Sequence, residues 1–277
     1  MKLTLKQLSL FIPCVMLALL GWTLRNQGSR KEAAAFDRTF PGVVAAEFSR
    51  DRILCSGVIV SRTAILTAAH CLCEERPISA FIGRTVFAEG NAGFQTRLDL
   101  QLREILFFDE PFCEQYRINA VEAMRRGDVA LVWFKHALPD DIAAAVLPQS
   151  GLSRLDAVYS RFVAVGWGES DNLWRPGRKN FTEIKLVSRL CGESDQQLLG
   201  CSSMEIVAAD KPYDTCYADS GGALYAVSDK GDLELMAVTS RALRATEGGM
   251  CGDGGVYTSL ENRDIRSWFV RTLAKGK

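Results

Sequence analysis

From Pro41 to Leu260 the apolar residues come in short runs: "ILCSGVIV", "AILTAAHC", "DVALVWF", "RFVAVGWG", "FTEIKLVS", "GALYAV", "LELMAVTS" and "GGVYTSL". Glycine, proline or a polar cluster closes off each run. Such runs are too short for amphipathic helices and match the length of a strand, whose side chains alternate between two faces. Many short strands at this spacing predict an all-β sandwich or barrel rather than a series of strand-helix-strand units. One helix is predicted at the end, where Ile265, Trp268, Phe269 and Leu273 recur at i, i+3, i+4 and i+8. At 277 residues and 48% hydrophobic, the chain is long enough for one large or two medium domains with well-filled cores. No internal repeat or low-complexity tract is seen.

Formal net charge is zero and the sequence pI is 6.7, so nothing in the charge balance suggests a nucleic-acid footprint or a polybasic membrane patch. Partners are expected to be peptides or small molecules. At the N-terminus Lys2 and Lys6 precede the apolar run "LSLFIPCVMLALLGWTL", which ends at Arg25. Residues 1–29 therefore read as an export segment. The run is long for a signal-peptide core and short for a membrane span, and no clean small-x-small cleavage site follows it. Cleavage and retention as an anchor both stay open.

Nine cysteines suit an oxidising compartment, and Cys14 falls in the export segment, leaving eight. Four disulfides are the simple expectation. A competing reading takes His70, Cys71 and Cys73 of "HCLC" with Cys113 as zinc ligands, but adjacent His-Cys ligands lack the usual spacing.

The stretch "DTCYADSGGAL", Asp214 to Leu224, sets Asp219, Ser220, Gly221 and Gly222 together after a cysteine. Paired glycines mark a sharp turn or a close approach of backbone to another group, and alone they also fit a polar surface turn. A serine hydroxyl becomes a nucleophile when a base takes its proton and a third group orients that base. The chain has two histidines. His136 in "WFKHALP" follows a strand and precedes a proline, which suits a surface loop. His70 in "LTAAHC" sits beside a cysteine whose disulfide could fix its backbone. Asp128 in "RRGDVALVWF" opens an apolar strand and is the candidate orienting acid.

Taken together, "LTAAHC", "GDVALV", "VGWG", "CYADSGGAL" and "GGVYTSL" occur in the order and at the separations of the chymotrypsin/trypsin-like serine proteases. The chain resembles that family over residues 38–275. The resemblance implies two six-stranded antiparallel β-barrels with a C-terminal helix. The first barrel covers about 38–150, the second about 151–260 and the helix about 262–275. It implies an exported serine endopeptidase with His70, Asp128 and Ser220 as the triad, and with the backbone N–H groups of Ala218 and Ser220 as the oxyanion hole. It also implies substrate contacts at Asp214, Ser240, Ala242 and Gly255, where Asp214 at the base of the primary pocket directs cleavage after Arg or Lys. By the same resemblance Cys55 pairs with Cys71, Cys191 with Cys201 and Cys216 with Cys251; Cys73 and Cys113 are left and are expected to pair. No metal or organic cofactor is implied. Protein or peptide substrates and a protein inhibitor are the implied partners, with a membrane involved only if the N-terminal segment stays as an anchor.

Three departures from the family pattern stand out. Ala218 replaces a glycine two residues before the serine. The usual activation signal, a basic residue before an Ile-Val-Gly-Gly-like terminus, is missing from "SRKEAAAFDRTFPGVVAAEF", so Asp219 lacks the partner that the resemblance would give it. In "VTSRALR", Arg241 and Ala242 replace an aromatic residue and a glycine, and Ala242 narrows one pocket wall while Gly255 leaves the other open. The alternative reading is a catalytically impaired homologue that acts as a binding or regulatory protein.

Overall fold

All eight apolar runs form strands. The computed structural model describes residues 40, 42–49, 52–77, 79–83, 95–139, 142, 144–145, 159–169, 177–210, 214–228, 231–243, 251 and 253–276. The export segment and most of the expected activation region lie outside these residues. Among the described residues, no helix is long and apolar enough to cross a membrane.

The first sheet contains β1 (Val43–Ser49), β2 (Arg52–Ser61), β3 (Ala64–Thr67), β4 (Ser79–Gly83), β5 (Gln95–Asp99), β6 (Leu102–Phe107) and β7 (Ala130–Phe134), in the order β5-β4-β1-β2-β3-β7-β6. Its two edges, β5 and β6, are joined through Leu100 and Gln101 alone. Such a link spans at most about 11 Å, so one end of β5 lies near one end of β6 and the sheet curls, although β5 and β6 are not paired and the sheet is not closed. The expected six-stranded first barrel thus takes the form of a seven-stranded curled sheet. The second sheet contains β8 (Tyr159–Gly166), β9 (Asn180–Ser188), β10 (Glu205–Ala209), β11 (Ala223–Ser228), β12 (Leu233–Ala242) and β13 (Gly255–Ser259). It closes as a six-stranded barrel in the order β10-β13-β12-β11-β8-β9.

Each sheet encloses its own core. Ile59, Leu66, Leu131 and Trp133 are fully buried in the first half, and Ile206, Leu224, Leu235, Met236 and Tyr257 in the second. β3 and β7 are buried on both faces, which explains why their sequences lack the period-two alternation of β9.

Four α-helices complete the described chain. Two short ones, α1 (Phe112–Ile118) and α2 (Ala120–Arg125), interrupt the connection from β6 to β7, and α3 (Glu193–Leu199) sits between Cys191 and Cys201. The C-terminal helix α4 (Arg263–Lys275) starts where Asn262 Oδ1 accepts the Asp264 and Ile265 N–H groups. It buries Ile265, Phe269 and Thr272, while Trp268 meets Phe108 edge-on at 5.7 Å. Only α4 is predicted from periodicity. A helix of six or seven residues shows at most two turns of pattern, although Asn119, whose Oδ1 accepts the Glu122 N–H, is a legible cap for α2.

Candidate active site

Strand register brings His70 and Asp128 together. β3 and β7 run antiparallel with Thr67 opposite Ala130, so the residues just after Thr67 and just before Ala130 leave the same end of the pair. His70 lies there in the 3-10 turn Ala69–Leu72, and Asp128 precedes the strand. The His70 N–H donates to Asp128 Oδ1 at 2.9 Å, and the ring Nδ1 lies 2.7 Å from Oδ2. Asp128 is fully buried.

The second barrel holds the same carboxylate from the other side. Ser240 Oγ donates to Asp128 Oδ2 at 2.6 Å, and Thr258 Oγ1 donates to the Asp128 carbonyl at 3.1 Å. Burial alone would raise the Asp128 pKa, but the His70 charge and the donors around it hold it below the ordinary carboxylate value. Burial alone would lower the His70 pKa, yet Asp128 outweighs it and holds the imidazole above its ordinary value. An ionised Asp128 accepts from Nδ1–H, which leaves Nε2 as the acceptor on the opposite side of the ring.

Ser220 arrives from the turn between Cys216 and β11. Ala223 pairs with Val238 of β12, so Ser220 and Ser240 lie beyond one end of that pair. Ser220 Oγ donates to the Ser240 carbonyl at 3.4 Å. The Ser220 carbonyl and His70 Nε2 each lie 3.9 Å from the Cys71 sulfur, which places the serine next to the histidine turn. Gly221, at φ +82°, explains the paired glycines: a Cβ there would overlap Thr67 Oγ1 and the Ser56 carbonyl of the first sheet. Ala218 has φ +69°, a left-handed conformation that costs a non-glycine residue about 1–2 kcal/mol.

Asp219 is buried between these residues. Its Oδ1 accepts the Gly168 N–H at 2.7 Å and its Oδ2 the Cys216 N–H at 2.8 Å. Burial pushes its pKa up to about 6 against those two hydrogen bonds, and the Asp214 charge adds to the rise.

A cleft of about 470 Å³ opens beside these groups, with His70, Tyr116, Tyr217, Ser220, Ser240 and Ala242 among its lining residues. Tyr116, from α1, stacks on the His70 ring with centroids 5.9 Å apart. Asp214 is half-buried beyond Thr215, and its Oδ2 accepts the Gly254 N–H. Gly255 does not bound open space: a Cβ there would come within 2.6 Å of Thr215 Oγ1 and 2.9 Å of the Tyr257 hydroxyl. The glycine is required because Thr215 and Tyr257 pack against its backbone. Arg241 turns to a bidentate pair with the fully buried Glu205 and donates to the Gly200 carbonyl at 3.2 Å. His136 is exposed beyond β7.

Four disulfides join Cys55 to Cys71, Cys73 to Cys113, Cys191 to Cys201 and Cys216 to Cys251. Their formation removes the thiolates that the alternative zinc site would need. The Cys73–Cys113 bond ties α1 to the loop that follows His70.

The sequence model of the trypsin family matches residues 29–268. The chain belongs to the trypsin family. It is 28% identical to rat vitamin K-dependent protein C over 223 residues, which cover 76% of this chain and 45% of that protein. It is 26% identical to mouse kallikrein 1-related peptidase b22 over 236 residues, covering 83% of this chain and 84% of the relative. The chain thus spans less than half the length of the protein C relative it matches. Among solved structures, a mouse neuropsin, described as a serine protease expressed in the limbic system of the brain, superposes with a TM-score of 0.60. The match covers 84% of this chain and 95% of that one at 22% identity, and it shows the shared chymotrypsin-like fold.

Proposed function

We propose that this trypsin-family chain is an exported serine endopeptidase that cleaves peptide bonds after Arg or Lys, with residues 38–275 as its peptidase unit. The observation that carries the reading is the hydrogen-bonded series from Ser240 through Asp128 to His70, lying beside Ser220.

Catalysis begins when the Ser220 hydroxyl turns from the Ser240 carbonyl to His70 Nε2. As the oxygen attacks the substrate carbonyl, its proton passes to Nε2, and the ionised Asp128 stabilises the imidazolium. The N–H groups of Ala218 and Ser220 hold the developing oxyanion. His70 then returns the proton to the leaving amine, and an acyl group remains on Ser220. Water, deprotonated by His70, attacks that ester, releases the acid and restores the serine. Tyr116 limits ring rotation of the base by stacking on it.

Asp214 supplies the specificity. A substrate guanidinium or ammonium that reaches it exchanges water for a charge-assisted hydrogen bond. Export agrees with the pairing of eight cysteines, since such bonds persist in oxidising compartments. Protein substrates and protein inhibitors are the expected partners.

The test compares short peptides that differ only in the residue before the cut, with wild type and Asp214→Ser. Wild type should prefer Arg or Lys, and the variant should lose at least about 30-fold in kcat/KM on those peptides, the effect of removing one member of a desolvated charge pair. Preference for Phe or Leu in wild type, or undiminished Arg cleavage by the variant, contradicts the role of Asp214. A binding or regulatory homologue is the second reading, favoured by the strained Ala218 and by the Ser220 hydroxyl resting on Ser240. Inhibitor binding without turnover would select it.

A further inference from the structure

Most peptide groups around Ser220 have a partner within the turn or in the strand beside it. The Tyr217 carbonyl accepts the Glu169 N–H at 2.9 Å, the Asp219 N–H donates to the Cys216 carbonyl at 3.1 Å, and the Asp219 carbonyl accepts the Gly222 N–H at 2.8 Å. The Gly221 N–H donates to the Thr239 carbonyl at 2.7 Å. The carbonyls of Ala218 and Ser220 both go instead to Ser56 of β2. Ser56 Oγ donates to the Ala218 carbonyl at 3.0 Å, and the Ser56 N–H donates to the Ser220 carbonyl at 2.7 Å. From Ala218 to Gly222, among the described residues, only the N–H groups of Ala218 and Ser220 have no acceptor, and both residues line the cleft.

Ser56 has no freedom to do otherwise. It is fully buried, its Oγ accepts the Trp167 N–H at 2.9 Å, and its carbonyl accepts Thr67 Oγ1 at 2.7 Å. With a lone pair of Oγ already filled by a backbone donor, its single proton is directed at Ala218. The bond crosses between the two sheets and closes on the one non-glycine residue of the turn that has a left-handed backbone.

We infer that Ser56 is a positioning residue whose hydroxyl holds Ala218 in the left-handed conformation that keeps the Ala218 N–H available to the oxyanion. The inference rests on the peptidase reading above. A glycine at this position would adopt the conformation without strain and would have no need of the hydroxyl. Alanine is biased toward negative φ, and a buried carbonyl that loses the one donor it has among the described residues adds a reason to rotate away. Ser56 offsets that bias from the other barrel.

The test is a double-mutant cycle of Ser56→Ala and Ala218→Gly in the full mature protein, read both as steady-state kinetics and as the thermal unfolding midpoint. With Ala218 in place, Ser56→Ala should lower kcat about 10-fold or more, toward the ~100-fold loss of one oxyanion donor, with KM little changed. In the Ala218→Gly background the same change should lower kcat less than about 3-fold, because glycine keeps the turn without help. The midpoints should couple with the opposite sign. With Ala218, loss of the hydroxyl also releases backbone strain, so Ser56→Ala should lower the midpoint by about 2–4 °C less than it does in the Ala218→Gly background.

Equal fold-losses in both backgrounds, together with equal midpoint shifts, would overturn the inference and reduce Ser56 to a structural hydrogen bond. If wild type turns over no peptide, the peptidase reading fails separately, and the midpoint cycle alone then decides: coupling supports the hold on Ala218, and additivity refutes it.

Discussion

The two halves of the candidate site are built differently. On the base side Asp128 receives the His70 N–H, the His70 ring and the Ser240 hydroxyl on its carboxylate, and Thr258 on its carbonyl, so each group has a low-energy partner. On the nucleophile side Ala218 sits at φ +69°, and Asp219 is buried on backbone donors alone among its described hydrogen bonds, with a pKa near 6. Strain of this kind persists where the surroundings over-determine it, and it collects at functional turns. The contrast teaches that the His70–Asp128 pair is held by satisfied bonds, whereas the turn that carries Ser220 is held against its own preference by neighbours in both sheets.

Removing a chemical group from either side should produce the largest effect. Ser220→Ala and His70→Ala should each lower kcat on the order of 10⁴- to 10⁶-fold, and Asp128→Asn about 10⁴-fold through the wrong imidazole tautomer. His136→Ala, at an exposed position, serves as the control in the same peptide assay. Near-wild-type turnover in Ser220→Ala would end the assignment.

A smaller effect should separate the loops around His70 from the barrels that carry them. Replacing Cys73 and Cys113 together by serine frees α1, and with it Tyr116, from the loop after His70. Stability should fall by about 2–4 kcal/mol, measured by denaturant unfolding, and kcat/KM should fall with it. Unchanged unfolding in the double variant would show that the bond does not support the site.

The smallest effects are titrations, and their signs differ between the halves. His70 lies above its ordinary 6.5, so the acid limb of kcat/KM should have its midpoint above pH 6.5, where the base becomes protonated. Asp219 is raised from 3.8 to about 6. Its contribution to stability is therefore full below pH 3.8 and is lost as pH rises through 6. Relative to Asp219→Asn, wild type should lose at most about 3 kcal/mol between about pH 4 and pH 6, read from unfolding at each pH. A difference that stays flat over that window would mean that Asp219 is compensated by a cation.

Much of the fold was legible because its strands announce themselves locally. The run "DVALVWF" is buried on both faces and reads as a strand from its own residues, as do its seven companions. The helices α1 and α2 were not legible, since two turns of periodicity do not rise above a loop. At the site, no one of "LTAAHC", "GDVALV" and "DSGG" decides by itself, and it is their order and separation along the chain that single out His70, Asp128 and Ser220. Ser56 stands in none of these stretches: its hydroxyl matters only through Ala218, 162 residues away, and through the Trp167 N–H. Arg241 is visible as a departure, but its pairing with Glu205 depends on the register of β10, β12 and β13, which no local pattern encodes. Gly255 shows the limit from the other direction, since the space beside it is decided by Thr215 and Tyr257 rather than by the glycine.

The central claim is that Ser220 is made nucleophilic by His70, and an active-site-directed fluorophosphonate probe tests it most directly. Treated wild-type protein should carry one phosphonyl adduct, mapped by mass spectrometry to Ser220, and both His70→Ala and Ser220→Ala should abolish it. Wild-type protein that stays unlabelled, or an adduct that persists in His70→Ala at the wild-type rate, would contradict the account.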